Sequence, residues 1–329
     1  MKTTNPQTVL ITGAGGFIGS HLVEKCLEQG YRVKAFVRYN STNRWGWIET
    51  ISDRQNISVV CGDIRDYDSV YRAIQGCDTV FHLAALIGIP YSYHSPLAYI
   101  RTNIEGTYNI LQASKEQNVP NILIISTSEI YGSAKYVPID ESHPISGQSP
   151  YAASKIAAEQ LALSYYRSFK LPVKVVRPFN TYGPRQSARA VIPTIISQLL
   201  KNPDLLRVGN LTPKRDFTYV GDTVNAFIEI ANYETLFGET INIGMNHEIS
   251  MLELVQMIAS LLNVKTKIEM EQDRIRPEKS EVSRLCCDNS KLLKMTKWKP
   301  GKSLKEGLAE TIQWFQANLH FYKSELYNV

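Results

Sequence analysis

The segment Val9–Thr12 is a short run of apolar and β-branched residues. It passes directly into Gly13-Ala14-Gly15-Gly16-Phe17-Ile18-Gly19, and a helical pattern starts near Ser20. The glycines at 13, 16 and 19 form a G-x-x-G-x-x-G loop. Glycine permits a tight turn and lets backbone N–H groups approach a pyrophosphate, while the N-terminus of the following helix adds favourable charge. A glycine motif alone is weak evidence, but this one leaves a strand and opens a helix, which is the setting a dinucleotide requires. Gly13, Gly16, Phe17, Ile18 and Gly19 are therefore expected to hold a dinucleotide cofactor.

The rest of the first half fits that loop. Thr8–Thr12, Val33–Val37, Ile57–Cys61, Thr79–Leu83, Ile122–Ser126 and Val173–Arg177 are apolar at successive positions, as strands covered on both faces are. Helical patterns at Ser20–Glu28, Tyr67–Ile74, Thr102–Gln117 and Ala152–Ser168 fall between them. The alternation predicts an α/β fold, a Rossmann-type doubly wound parallel sheet. After Pro178 the rhythm changes. The pattern predicts a helix over Val191–Leu200, a short strand pair at Leu206–Val208 and Asp216–Tyr219, a helix over Gly221–Asn232, a returning strand at Thr240–Ile243, and amphipathic helices at Met251–Leu262 and Leu304–Asn318. Residues 1–178, with about 217–244 returning, read as the dinucleotide domain. About 179–216 and 245–329 read as a second, smaller, mostly helical substrate domain.

Composition narrows the class further. A net charge of +5 over 329 residues fits an anionic substrate but gives no dense basic stripe, so nucleic acid is not an expected partner. The five cysteines are odd in number and contain no C-x-x-C pair, which fits a reducing compartment rather than a disulfide framework. The six histidines show no ligand spacing, so no metal is expected. No apolar run approaches the roughly 18 residues of a membrane span. The expected location is the cytoplasm.

Further residues bear on the site. The second strand runs into Phe36-Val37-Arg38-Tyr39-Asn40 without the carboxylate that usually holds an NAD ribose. Arg38 could meet the 2′-phosphate of NADP, stack on adenine or reach solvent. Asp63 and Ile64 follow the third strand, where Asp63 could touch the adenine or simply form the turn. The small residues in Leu83-Ala84-Ala85 suit close approach to the cofactor. Tyr151 and Lys155 form Y-x-x-x-K, and spacing four puts both on one helix face. A nearby ammonium and a positive nicotinamide ring would lower the tyrosine from its ordinary pKa of about 10 and make it a base. Thr127, at the carboxyl end of the fifth strand, can donate a hydrogen bond to a substrate oxygen.

Together the motifs T-G-A-G-G-F-I-G (12–19), F-H-L-A-A (81–85), S-T-S-E-I-Y-G (126–132), Y-A-A-S-K (151–155), R-P-F-N-T-Y-G-P (177–184) and R-D-F-T-Y-V-G-D (215–222) resemble the extended short-chain dehydrogenase/reductases, over essentially the whole chain. The resemblance implies NAD or NADP on a Rossmann domain and a nucleotide sugar gripped by a smaller one. It makes Thr127, Tyr151 and Lys155 the catalytic triad, and Asn180, Arg215 and Arg276 ligands of the sugar-nucleotide phosphates. It also implies a homodimer paired through the helices near 102–117 and 152–168.

Glu129 divides the chemistries of that family. The 4-epimerases generally lack an acid there, the 4,6-dehydratases resemble T-D-E with a glutamate that takes the C5 proton, and the UDP-glucuronate decarboxylases resemble T-S-E, as here. Ser128, expected at the substrate, departs from the dehydratase aspartate. The stretches 144–151 and 184–193, with Val37–Ser41 and Trp45-Gly46-Trp47, resemble the 4,6-dehydratases of the bacterial legionaminic-acid pathway, which act on UDP- or GDP-linked N-acetylglucosamine with bound NAD. The expected activity is thus a nucleotide-sugar 4,6-dehydratase using NAD, with NADP open because of Arg38. The alternatives are an epimerase, a decarboxylase, or a dinucleotide-sensing Rossmann protein without turnover.

Overall fold

The structure is a computed structural model that describes residues 6–275 and 277–323. Seven parallel strands form its main sheet: β1 (Thr8–Thr12), β2 (Arg32–Arg38), β3 (Ile57–Gly62), β4 (Thr79–His82), β5 (Ile122–Ile125), β6 (Val173–Pro178) and the returning strand Thr240–Ile243. Their spatial order is β3-β2-β1-β4-β5-β6 and then 240–243. The chain runs outward from β1 to β3, crosses back, and builds the other half from β4. The order therefore reverses between β1 and β4, and open α/β sheets have their ligand crevice at such a point, beyond the carboxyl ends of the strands.

Successive strand residues point to opposite faces, so each strand supplies two cores. Val9, Ile11, Leu123 and Ile125 face α1 (Phe17–Glu28) and the helix Val220–Ala231 in one cluster. Leu10, Ile122 and Ile124 face the helices Tyr67–Ile74, Gly106–Glu116 and Pro150–Phe169 in another. This two-sided burial explains why the strands read as continuous apolar runs. The expected helix over 102–117 contains an irregularity: a π-helical turn spans Ile100–Glu105, and the regular helix begins at Gly106, where a Cβ would lie 2.6 Å from the Ile64 side chain.

A third cluster joins the helices Val191–Lys201, Met251–Leu262 and Leu304–Asn318 through Ile195, Ile196, Leu254, Ile258, Leu308 and Phe315. The latter two helices open on capping boxes, Ser250 with Glu253 and Ser303 with Glu306. The expected pairing of Leu206–Val208 with Asp216–Tyr219 is not formed. Leu205–Val208 pairs in parallel with Lys267–Met270, whereas Lys214–Tyr219 pairs with Asn180–Tyr182, Glu248–Ser250 and Arg284–Leu285. The connecting loop is committed elsewhere: the Pro213 and Leu211 carbonyls accept the N–H groups of Met251 (3.0 Å) and Leu252 (3.2 Å) at the start of a helix. No described helix is long and apolar enough to cross a membrane.

Leu10 is fully buried between the sheet and its helices. We predict that Leu10→Ala lowers the free energy of unfolding by about 2–5 kcal/mol, through lost transfer energy and a residual cavity. Urea titration should show an earlier midpoint with an unchanged slope.

Candidate active site

The glycine loop sits at the strand-order reversal because only glycine fits there. Gly13 has φ +69°, and a Cβ on it would lie 3.0 Å from the Ala84 nitrogen at the end of β4. A Cβ on Gly19 would be 2.2 Å from the Gly13 carbonyl oxygen. The start of α1 has Gly16 as its cap, with no side-chain capping bond and no acidic residue in the first turn. That leaves the positive end of the helix dipole uncompensated by its own side chains.

Thr12 fixes this crest. Its Oγ1 accepts from the N–H groups of Leu83 and Ala84, both at 3.1 Å, so its own proton goes to His82 Nδ1 at 2.8 Å. His82 Nε2–H then points to Thr107 Oγ1 at 3.1 Å, and Thr107 donates to the Asn103 carbonyl at 2.6 Å. Burial, helped by the charge of Lys155, drives the His82 pKa down to about 3. His82 is thus a neutral, packed hinge pin. On the other side of the loop, the Trp47 N–H bonds the Gly15 carbonyl at 3.0 Å, and Gly46, at φ +70°, crowds that same carbonyl.

At the edge of the crevice Arg38 ends β2, exposed, in register with Gly62. Asp63 is held by Arg65, with Nε–Oδ1 at 2.9 Å, Nη2–Oδ2 at 2.5 Å and the backbone N–H to Oδ1 at 3.0 Å. The Arg65 bonds hold the Asp63 carboxyl below the usual range against its partial burial, and Arg38 contributes. The Ile64 side chain is buried against Gly106, and its carbonyl accepts from Asn109 Nδ2 at 2.9 Å.

The residues expected to be catalytic converge. Ser149 caps the helix Pro150–Phe169 by accepting from the Ala152 N–H at 3.1 Å, which puts Tyr151 in the first turn and Lys155 one turn on. Thr127 caps the 3₁₀ turn Ser128–Tyr131, accepting from the Glu129 N–H at 3.3 Å. The Thr127 hydroxyl and the Glu129 carboxylate both act on the ionisation of the Tyr151 phenol, in opposite directions. The Tyr151 ring meets Tyr99 edge-on at 6.3 Å, in an apolar group with Leu86, Ile89 and Tyr93. Burial raises the Tyr151 pKa above the ordinary phenol value, with the Thr127 bond opposing and the Glu129 charge reinforcing. The lowering expected of this tyrosine includes the charge of a nicotinamide ring, which this balance does not contain. The Lys155 ammonium is directed at the Ile125 carbonyl (2.5 Å), and its own burial brings its pKa down to about 8, against the pull of Glu159.

On the substrate side, Asn180 is half-buried on a short strand whose register places it beside Phe217, two residues from Arg215. Arg215 is buried, donates to the Lys214 carbonyl at 2.9 Å, and pairs with Glu281 at 3.4 Å. Ser128 is buried in the 3₁₀ turn. Arg276 lies outside the described residues.

Sequence reasoning missed Asn103. Its Nδ2 donates to the Leu86 carbonyl and to Ser154 Oγ, both at 2.9 Å, and its Oδ1 accepts the Leu86 N–H at 2.8 Å. Ser154 donates in turn to the Tyr151 carbonyl at 2.7 Å. Glu281 and Thr12 were also missed. Thr12 opens the glycine motif but its hydroxyl's role is not written there, and Asn103 and Glu281 stand in no distinguishing pattern; only long-range pairing reveals what the three do.

The strand order with its reversal at β1/β4, together with the glycine loop at that point, defines a Rossmann-type dinucleotide fold. Residues 10–311 match the family described as GDP-mannose 4,6 dehydratase, and the chain belongs to this family of extended short-chain dehydrogenase/reductases. It is 32% identical to human dTDP-D-glucose 4,6-dehydratase, covering 96% of this chain and 92% of the relative. It is 35% identical to the UDP-N-acetyl-alpha-D-glucosaminuronate decarboxylase of Bacillus cytotoxicus, covering 93% and 97%. The dTDP-glucose 4,6-dehydratase of Streptomyces venezuelae, solved with NAD bound, superposes with a TM-score of 0.88 at 27% identity, covering 96% of this chain and 99% of that one. The UDP-N-acetylglucosamine 4-epimerase of Methanobrevibacter ruminantium gives 0.86 at 30% identity, covering 96% and 100%.

The state of His82 has a consequence for stability. Its folded pKa of about 3 lies below the ordinary 6.5. The stability it contributes is therefore fully present above about pH 6.5 and is lost as pH falls toward about 3, because the unfolded chain takes up the proton first. We predict that His82→Gln is less stable at neutral pH but loses less stability between about pH 6.5 and 4 than the wild type, as measured by urea unfolding at both values. Equal losses would mean that His82 does not carry this proton uptake.

Proposed function

We propose that this chain is an NAD-dependent nucleotide-sugar 4,6-dehydratase that converts a UDP- or GDP-linked N-acetylglucosamine, or a related hexose, to its 4-keto-6-deoxy form. The observation that carries the reading is Glu129, a carboxylate on the turn that Thr127 caps, close enough to Tyr151 to bias its ionisation. Epimerisation at C4 removes no proton from carbon and has no use for a base there.

The residues fit a dinucleotide. The loop at Gly13 and Gly19 has no room for a Cβ, and the first turn of α1 bears no acid that would repel a pyrophosphate. Gly13, Gly16, Phe17, Ile18 and Gly19 would hold the pyrophosphate, Arg38, Asp63 and Ile64 the adenosine end, and Leu83, Ala84, Ala85, Tyr151 and Lys155 the nicotinamide end. When bound, NAD accepts a hydride from sugar C4 and returns it at C6. Its positive ring would also supply what the buried Tyr151 lacks, a charge that lowers the phenol's pKa. Segment 1–178 with 217–244 would carry the cofactor, and segments 179–216 and 245–329 the sugar nucleotide.

In this reading Tyr151 takes the C4 hydroxyl proton while Thr127 hydrogen-bonds the same oxygen and Lys155 holds the phenolate. The C4 ketone then acidifies the C5 hydrogen, and Glu129 removes it as hydroxide leaves C6. Ser128 cannot act as an acid there, so Glu129 hands its newly acquired proton to the departing oxygen, directly or through a water. After hydride reaches C6, Glu129, reprotonated from solvent, returns a proton to C5 while Tyr151 releases the C4 hydroxyl proton to solvent, and the net change is loss of one water. Asn180, Arg215, Arg276 and Ser128 would orient the diphosphate and sugar. Ser128 also favours a second reading: it matches the T-S-E of decarboxylases, and a decarboxylase is among the relatives. Mass spectrometry of products from UDP- and GDP-hexoses and the matching uronates separates loss of water from loss of carbon dioxide.

Denaturing the purified protein should release NAD. Release of NADP would mean that Arg38 reads a 2′-phosphate.

We predict that Glu129→Gln spares C4 oxidation but stalls elimination, since an amide is a far weaker base than a carboxylate. Adding substrate should build up reduced-nicotinamide absorbance, with little dehydrated product and little solvent deuterium at C5. A near-normal rate of product formation would make Glu129 structural and sink the dehydratase mechanism drawn here.

A further inference from the structure

Beneath the site lies a buried charged pair that the chemistry above does not use. Arg177, on β6, and Glu159, on the helix of Tyr151 and Lys155, are 3% and 1% exposed. Arg177 Nε donates to Glu159 Oε2 at 3.0 Å, and Nη2 makes a second bond to Oε1. The remaining nitrogen, Nη1, donates to the Tyr131 hydroxyl at 2.8 Å, and Tyr131 donates to Asn242 Oδ1 at 2.7 Å on the neighbouring strand. Tyr131 closes the 3₁₀ turn that carries Glu129. Glu159 stands one helical turn beyond Lys155.

A pair of this kind costs desolvation and is often no more stabilising than apolar residues of the same shape. Its geometry, however, is specific. A guanidinium is planar, and its donors point in fixed directions. One fork is bidentate to the helix, and the other nitrogen reaches the turn. The two elements bearing the proposed catalytic groups are thus held at a fixed spacing through one rigid plane.

We propose that Arg177 is a positioning residue that sets the spacing between the Tyr151–Lys155 helix, through Glu159, and the Glu129 turn, through Tyr131. This rests on the roles proposed above for Tyr151, Lys155 and Glu129. The Tyr131 arm governs where Glu129 meets C5. The Glu159 arm governs the helix, and the Glu159 carboxylate also supports the charge of Lys155. Lys155 is otherwise faced by Tyr151 on its own helix, the Ile125 carbonyl from β5 and neutral His82 from β4, while the positive charge of Arg177 is met by Glu159.

Two variants test the arms separately. Tyr131→Phe removes one hydroxyl from the turn. It should leave dinucleotide content and C4 oxidation near wild type while cutting solvent deuterium incorporation at C5 at least tenfold. The double variant Glu159→Gln with Arg177→Met removes both charges together, so neither is left buried alone. It should still melt cooperatively with dinucleotide bound, while C4 oxidation slows at least tenfold and the alkaline limb of its pH profile moves to lower pH, because Lys155 has lost its supporting carboxylate. Normal C5 exchange in Tyr131→Phe, alongside lost exchange in Glu129→Gln, overturns the Tyr131 arm. An unmoved alkaline limb and a normal C4 oxidation rate in the double variant overturn the Glu159 arm. Normal exchange in Glu129→Gln itself instead overturns the role of Glu129 and the Tyr131 arm with it; the double variant still decides the Glu159 arm.

Discussion

The contact between Gly13 and the Ala84 backbone organises the rest of the molecule. It lies where the strand order reverses, at the carboxyl ends of β1 and β4, where the two halves of the sheet meet. The Thr12 hydroxyl locks the contact by satisfying the N–H groups of Leu83 and Ala84 and passing its own proton to His82. From His82 the hydrogen bonds run through Thr107 to Asn103, then through Ser154 to the first turn of the Tyr151 helix. The cofactor loop and the proposed catalytic tyrosine are therefore parts of one buried polar network whose members are hydrogen-bonded to one another. Such a network rigidifies a site because an unmade bond inside it is expensive.

Most of the sheet was legible in the sequence because strands buried on both faces announce themselves as apolar runs, and glycines that admit no Cβ announce a loop. Leu10 and Ile11 read as core, and they are core on opposite faces. The placement of Tyr151 and Lys155 on one helix and of Thr127 at a strand end was legible because helix periodicity and strand ends fix where side chains point. What the sequence hid is long-range. Nothing near Leu206 says that its partner strand is Lys267–Met270, and nothing near Asn103 marks the π-helical turn that carries it. The ionisation of Tyr151 without the dinucleotide was hidden for a related reason. The expectation weighed nearby charge, whereas the depth of burial, a property of the whole fold, is the larger effect.

The relatives of this chain include dehydratases, epimerases and a decarboxylase of similar length on one architecture. That diversity has a physical basis here. The groups proposed for C4 oxidation sit on a long helix and a strand end, which are rigid. The residues that would differ between chemistries, Ser128 and Glu129, sit on a single 3₁₀ turn of four residues. In the proposed chemistry, exchanging one side chain on that turn would change which proton can be moved without disturbing the sheet.

The contact made by Gly46 and Trp47, at the start of a 3₁₀ turn, bears on how the protein is made. Trp47 grips the Gly15 carbonyl through its N–H, and its ring is wedged edge-on between Trp314 (5.4 Å) and Phe321 (5.3 Å). The glycine loop leaves the ribosome well before its outer buttress at Trp314 and Phe321, which follows it far along the chain. Until that late segment emerges, the loop has its Thr12 lock but lacks the aromatic clamp behind Trp47. A nascent chain would thus complete this side of the loop only after Trp314 and Phe321 have emerged, however early its first strands have paired.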